Sequence, residues 1–162
     1  MKPILLLIAT IITTSASIAC SCGPQGKLDR KSVQYAEAVF VGTVVETYVD
    51  STKHLRYLVF EVTESLKGTT NGELVTITTA ASSAACGISA KMKESWYIYA
   101  LTNFPANSLL EVDICGRSTR LSQLDLHGDY SRQYVKTRKR NYRKKYARFK
   151  KDRRLLKRMR LV

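Results

Sequence analysis

Apolar and polar residues alternate in short runs along the N-terminal part of the chain, and these runs are rich in β-branched and aromatic residues. Such runs are typical of strands joined by tight turns. In the second run, Leu58, Phe60 and Val62 share one face, as expected of a half-buried strand. Gly42 inside the first run predicts a bulge or bend. The predicted strands are residues 38–49, 55–68, 73–80, 95–104 and 108–115.

Five short strands predict a mainly β fold, built as a small closed or partly closed barrel. An immunoglobulin-like sandwich is the alternative, but that fold requires about seven strands. Residues 28–38 predict a short helix or helical turn beside the barrel. Residues 118–126 predict a second short helix, which Ser118 or Thr119 would cap.

The first 19 residues have the pattern of a secretory signal. Lys2 precedes the apolar residues 3–12, and Ser17-Ile18-Ala19 is a small-x-small cleavage pattern. An apolar segment of this length is too short to cross the ~30 Å hydrocarbon layer. We therefore expect a signal peptide over residues 1–19 and a secreted, extracellular protein whose mature chain begins at Cys20.

Four cysteines remain after this cleavage: Cys20, Cys22, Cys86 and Cys115. An even number in an oxidising compartment predicts disulfides. A bond between Cys20 and Cys22 is geometrically poor, so one of them is expected to reach Cys86 and the other Cys115. A zinc site is the rival interpretation, but the paired C-x-x-C motifs of structural zinc sites are missing.

The net charge of +14 is concentrated at the C-terminus. Residues 131–162 contain 16 of the 27 Lys and Arg residues and one acid, Asp152. Residues 20–130 contain ten basic and twelve acidic residues and are nearly neutral. The chain is thus divided into a globular domain over residues 20–130 and a basic C-terminal tail over residues 131–162.

Within this tail, Tyr142, Tyr146, Phe149 and Leu156 form a narrow apolar stripe at helical spacing. The tail is predicted to be a cationic helix or a disordered extension. Its charge favours sulfated glycosaminoglycans or an anionic membrane surface, and nucleic acid is not expected outside the cell. The cations predicted to bind such a polyanion are Arg138, Lys139, Arg140, Arg143, Lys144, Lys145, Lys150 and Lys151.

Catalytic motifs are scarce in the sequence. His54 and His127 are its only histidines, and it contains neither an H-E-x-x-H metal motif nor a G-x-S-x-G elbow. His54 lies in a polar turn, and the cysteines are expected to form disulfides. We therefore expect that the protein is not an enzyme.

The start of the predicted mature chain, Cys20-Ser21-Cys22-Gly23-Pro24, has the pattern Cys-x-Cys-x-Pro. This pattern resembles the opening of the N-terminal, netrin-like domain of the tissue inhibitors of metalloproteinases. Residues 38–44 and 59–68 are similar to the first two barrel strands of that family. Residues 83–89 are similar to its Cys-Gly loop, and residues 95–115 to the hairpin before its next half-cystine.

The resemblance implies a five-stranded OB-fold barrel and the disulfides Cys20–Cys86 and Cys22–Cys115. It also implies inhibition of zinc metalloendopeptidases by a monomer that has no cofactor of its own. The amine and carbonyl of Cys20 would bind the zinc of the target protease, and Ser21 would enter the adjoining specificity pocket. The implied protease-binding residues are Cys20, Ser21, Cys22, Gly23, Pro24, Ser83, Ala84, Ala85, Cys86 and Gly87.

Two departures from the family pattern leave other interpretations open. The chain lacks the cysteines for the third disulfide of the family's N-terminal domain and has no six-cysteine C-terminal domain. It could therefore be a non-inhibitory netrin-like module that binds matrix polyanions through its tail. Cys20 could also be the lipidated cysteine of a bacterial lipoprotein, although Ser17 stands where such signals have Leu.

Overall fold

The structure is a computed structural model that describes residues 20–102, 109–122 and 132–159. The predicted signal peptide lies outside the described residues. The helices are α1 (Arg30–Tyr35) and α2 (Arg132–Arg158), and a 3₁₀ turn spans Ser83–Ala85. The strands are β1 (Ala38–Asp50), β2 (Leu55–Lys67), β3 (Leu74–Ala80), β4 (Ser95–Thr102), β5 (Leu110–Glu111) and β6 (Thr119–Arg120).

Five strands form a ring that is close to a closed barrel. Their order is β1-β2-β3-β5-β4, and antiparallel pairing of β4 with β1 completes the ring. The β3–β5 pair is parallel, whereas the other pairs are antiparallel. The sixth strand extends the sheet beside β4. The predicted β-rich barrel architecture is thus confirmed at this level.

The first core fills the inside of the ring. Phe40 and Phe60 meet there edge to face, with their ring centroids 5.9 Å apart, and Leu58 and Ile98 are fully buried beside them. Leu58, Phe60 and Val62 all point inward, as the alternation in the sequence predicts. The predicted irregularity at Gly42 is also confirmed, because the β1–β2 register shifts between Val41 and Gly42.

A second core lies outside the ring, where α1 and α2 cover β1 and β4. Val33 of α1 packs there with Tyr97 of β4, and Phe149 and Leu156 of α2 complete the cluster. This double coverage explains why β1 and β4 read as nearly continuous apolar runs, since both of their faces are buried. The tail is therefore a helix packed on the barrel over residues 132–158, which confirms the helical alternative and not the disordered one.

Two predicted elements differ from the structure. Residues 118–122 do not begin a helix, because Thr119–Arg120 pairs with β4 as a strand; residues 123–126 lie outside the described part. The strand predicted over residues 108–115 is reduced to Leu110–Glu111, because the chain turns between Asp113 and Gly116. One of the predicted short helices is present as α1, and the 27-residue α2 is the tail in its helical alternative.

Among the described residues, no helix combines the length and the apolar character needed to span a membrane.

Candidate functional site

Two disulfides attach the start of the described chain to the barrel. Cys20 is bonded to Cys86 and Cys22 to Cys115, the pairing that the resemblance implies. The Cα–Cα distances are 5.2 and 5.0 Å, within the usual range for disulfides. The two bonds lie against each other, with Cys20 Sγ 3.6 Å from Cys115 Sγ. Both bonds indicate that the protein matures in an oxidising compartment.

Cys86 belongs to a tight loop that follows β3. The Ser82 hydroxyl accepts a hydrogen bond from the Ala85 amide (3.2 Å) and so caps the 3₁₀ turn. Cys86 ends the turn with φ of 65°, in the left-handed region. At Gly87 the chain passes so close to β3 that an added Cβ would collide with the Ala80 carbonyl oxygen. The loop conformation is therefore fixed by local hydrogen bonds and by close backbone packing.

The predicted protease-binding residues fall into two segments that the Cys20–Cys86 bond joins. We call residues 20–24 and 83–87 together the N-terminal ridge. Residues 21–24 and 83–85 are exposed, Cys20 and Cys86 are half-buried, and Gly87 is buried. The ridge thus presents two short exposed segments side by side, and its cysteines anchor both of them.

The residues after Pro24 are held by the barrel and by α2. The Gln25 amide donates hydrogen bonds to the carbonyl oxygens of Cys115 and Gly116, and Arg148 of α2 donates to the Gln25 side-chain oxygen. Arg117 donates to the Gly26 carbonyl at 2.7 Å. The path of the chain leaving the ridge is thus fixed by two segments, residues 115–117 and the C-terminal helix.

Arg117 also pairs with Asp152, the one acid of α2, at 3.0 Å. Both side chains are largely buried. Burial raises the pKa of Asp152, while the Arg117 guanidinium acts in the opposite direction. A second connection lies further along α2, where Arg153 forms a two-pronged ion pair with Glu64 of β2 and Lys157 reaches the same carboxylate.

The sulfur atoms of Cys20, Cys86 and Cys115 all lie within 4.8 Å of one another. Each belongs to a disulfide, and no described cysteine is free, so no thiolate is available to bind a metal. The rival interpretation of these cysteines as a zinc site is therefore wrong for this structure. His54 is exposed in the turn before β2, and His127 lies outside the described residues.

The eight cations predicted to bind a polyanion are all exposed on α2, but they do not share one side. Arg140, Arg143, Lys144 and Lys151 face away from the barrel by helical phase, opposite Phe149. The remaining four, Arg138, Lys139, Lys145 and Lys150, lie at its flanks or on the barrel side. Arg138 lies over the Tyr134 ring and Lys150 over the Tyr146 ring.

The outward side also holds three cations that the sequence prediction missed: Lys136, Arg154 and Arg158. A helical projection from the buried stripe would have found them, because they lie opposite Phe149 and Leu156. The prediction instead chose basic residues that are consecutive in the sequence, and consecutive residues point to different sides of a helix.

In comparisons with known proteins, no family model matches the chain, and neither does any curated protein.

Proposed function

We propose that this protein is a secreted inhibitor of zinc metalloendopeptidases, related to the tissue inhibitors of metalloproteinases. The N-terminal ridge would enter the active-site cleft of the protease. The amine and carbonyl of Cys20 would bind the catalytic zinc of the target, and Ser21 would occupy the adjoining pocket. The protein itself would act as a monomer and contribute no metal.

The observation that carries this proposal is the anchoring of an exposed N-terminal segment beside an exposed loop. Cys20 and Cys22 are each bonded to the body of the domain, while residues 21–24 remain exposed. An edge fixed before binding loses little conformational entropy when it enters a cleft. Two disulfides two residues apart hold both ends of this short segment, and a rigid recognition edge would account for their close spacing.

The ring supports the finer proposal of an OB-type barrel. Its five strands close in the order β1-β2-β3-β5-β4, with a single parallel pair between β3 and β5. In the proposed inhibitor the barrel would support the ridge, whose loop over residues 83–87 follows closely after β3. The ring order is thus compatible with the proposed inhibitor fold.

The chemistry depends on a free amine at Cys20. Cleavage after Ala19 would release it, and the amine nitrogen with the carbonyl oxygen of the same residue would form a five-membered chelate. A catalytic zinc keeps one coordination position open for water or substrate, so such a chelate could displace the water. The Cys20 sulfur would not be a ligand, because its disulfide to Cys86 holds the residue in place.

The test compares the mature protein beginning at Cys20 with a variant that has one additional alanine before Cys20. Both are titrated against a panel of zinc metalloendopeptidases with a fluorogenic peptide substrate. We expect the mature form to inhibit at least one of them, and the extended form to be at least about a hundredfold weaker because it cannot form the chelate.

A variant with one additional alanine after Val162 is the matched control and should inhibit like the mature form. Equal potency of the N-terminally extended protein would contradict the chelate. Failure of the folded, disulfide-bonded mature protein to inhibit any protease of the panel would contradict the inhibitor proposal. Mass spectrometry of the mature N-terminus tests for lipidation, which would block the amine.

A further inference from the structure

The outward side of α2 carries a row of cations that is interrupted once, at Ala147. At about 100° per residue, seven basic residues fall within about 100° of arc on this side. They extend over 22 residues, or about 33 Å of helix. We call them the outer stripe: Lys136, Arg140, Arg143, Lys144, Lys151, Arg154 and Arg158.

The outer stripe is exposed and has no acidic counterpart. Its side chains are all exposed, and none of them takes part in an ion pair among the described residues. The acids near α2 are already engaged elsewhere, since Asp152 pairs with Arg117 and Glu64 with Arg153 and Lys157. Seven like charges along one side repel one another, and a bound polyanion would relieve this repulsion.

The apolar side of the same helix is already occupied by the barrel. Leu156 is fully buried and Phe149 is 7 % exposed, and both lie opposite the outer stripe. The outward side contains Ala147 as its apolar residue. A helix that binds in a membrane interface needs a free apolar face, so this arrangement does not favour insertion into a bilayer.

We propose that the outer stripe binds a linear sulfated polysaccharide that lies along the axis of α2. A straight row of cations about 33 Å long complements an extended chain with regularly spaced sulfate groups. The disulfides indicate an oxidising compartment, where sulfated polysaccharides are the abundant linear polyanions. The outer stripe shares no residue with the N-terminal ridge, and the proposal does not depend on protease inhibition.

The test uses the complete mature chain and a variant in which Lys136, Arg140, Arg143 and Lys144 are replaced by glutamine. Glutamine is a good helix former, and these side chains are exposed, so the fold should be kept. The matched control replaces four exposed cations of the barrel and α1 by glutamine: Arg30, Lys31, Lys53 and Lys91. Both variants have the same net charge, and circular dichroism verifies their folding.

Binding to heparin is measured by chromatography and by titration over a range of salt concentrations. We expect the stripe variant to bind at least about tenfold more weakly at 0.15 M salt, with a salt dependence reduced by about three to four ions. The control variant should bind nearly as tightly as the unmodified protein. Desulfated heparin should bind weakly to all three proteins.

Equal loss of affinity in the two variants would overturn the proposal, because net charge alone would then explain binding. So would unchanged affinity in the stripe variant. Tighter binding to phosphatidylserine vesicles or to duplex DNA than to heparin, at the same salt concentration, would assign the stripe to a different partner and would also overturn it.

Discussion

The ring of Phe149 lies 5.0 Å from the ring of Tyr97, and this contact joins the C-terminal helix to the outer face of β4. Tyr97 is 1 % exposed beneath the helix, and burial raises the pKa of its hydroxyl well above the ordinary value. The most basic segment of the chain thus contributes to one of its two hydrophobic cores.

Replacing Phe149 by alanine should therefore lower the free energy of unfolding by about 3 kcal/mol, the usual cost of removing a buried aromatic ring. Urea denaturation followed by circular dichroism measures this change. Tyr35→Ala is the control, because Tyr35 is 76 % exposed and its loss should cost less than about 0.5 kcal/mol. Equal effects of the two substitutions would show that α2 does not pack as described.

The ion pairs of Glu64 with Arg153 and Lys157 predict that the free energy of unfolding depends on pH. Burial acts to raise the pKa of Glu64, but hydrogen bonds from Arg153 and Lys157 hold it below the ordinary value. A carboxyl with a depressed pKa in the folded state contributes stability above its unfolded pKa of about 4.3, and this contribution is lost as the pH falls through the folded value.

We therefore expect Glu64→Gln to destabilise the protein by about 0.5–1 kcal/mol at pH 7, since Arg153 and Lys157 remain partly exposed. The difference from the unmodified protein should shrink below about pH 4. Urea denaturation at pH 7 and pH 3 measures it. A difference that stays constant between these pH values would exclude the ion pair as its origin.

Two glycines of the N-terminal ridge should differ in their tolerance of alanine. Gly87→Ala forces a collision with the Ala80 carbonyl and should destabilise the protein by about 2–3 kcal/mol. Gly23→Ala is the matched control, because an added Cβ at Gly23 meets no atom within 4 Å. Thermal unfolding of both variants measures the difference. Comparable melting temperatures would contradict the close approach of the loop to β3.

The bond from Arg148 to Gln25 predicts a positioning role for α2. Arg148→Ala should weaken protease inhibition by about tenfold, because the residues after Pro24 become less ordered. Hydrogen exchange over residues 20–27 should accelerate, even if the protein proves not to be an inhibitor. Arg140→Ala, on the outer stripe, is the control and should change neither quantity. Unchanged exchange in the Arg148 variant would contradict this role.

The proposed chelate predicts weaker inhibition in acid. A free α-amine has a pKa of about 7.7–8.0, and only its neutral form can bind zinc. Affinity should therefore fall by about thirtyfold to fiftyfold between pH 8 and pH 6. The same measurement with an inhibitor that lacks an amine corrects for titration of the protease. After this correction, an inhibition constant that does not vary with pH would exclude the amine as a ligand.

Much of the barrel could be predicted because its strands bury alternate residues. Leu58, Phe60 and Val62 fall on one face in the sequence and in the structure. The short strands could not be predicted from the same signal. Leu110–Glu111 ends early because the turn from Asp113 to Gly116 brings Cys115 to Cys22, a long-range constraint that no local pattern contains.

At Ser118 a local pattern predicts an element that the described part of the fold does not contain. Its hydroxyl was a reasonable helix cap by sequence, but in the fold it accepts a hydrogen bond from the Tyr99 amide at 2.9 Å, in a buried position. In the tail, Tyr142, Phe149 and Leu156 were correctly predicted to form a stripe. The sequence did not indicate that this stripe packs on the outer face of β4, because β4 is apolar on both faces and its pattern does not distinguish them.

The 3.6 Å separation of Cys20 Sγ and Cys115 Sγ has a consequence for oxidative maturation. Thiol–disulfide exchange requires a thiolate that can reach a neighbouring disulfide. If a thiolate from another molecule attacks Cys86 Sγ, a mixed disulfide forms at Cys86 and the Cys20 thiolate is released, which lies within reach of Cys115 Sγ and can displace the Cys22 thiolate from it. The first exchange step therefore needs no unfolding of the barrel, so retention of the native pairing depends on keeping free thiols away from these two bonds.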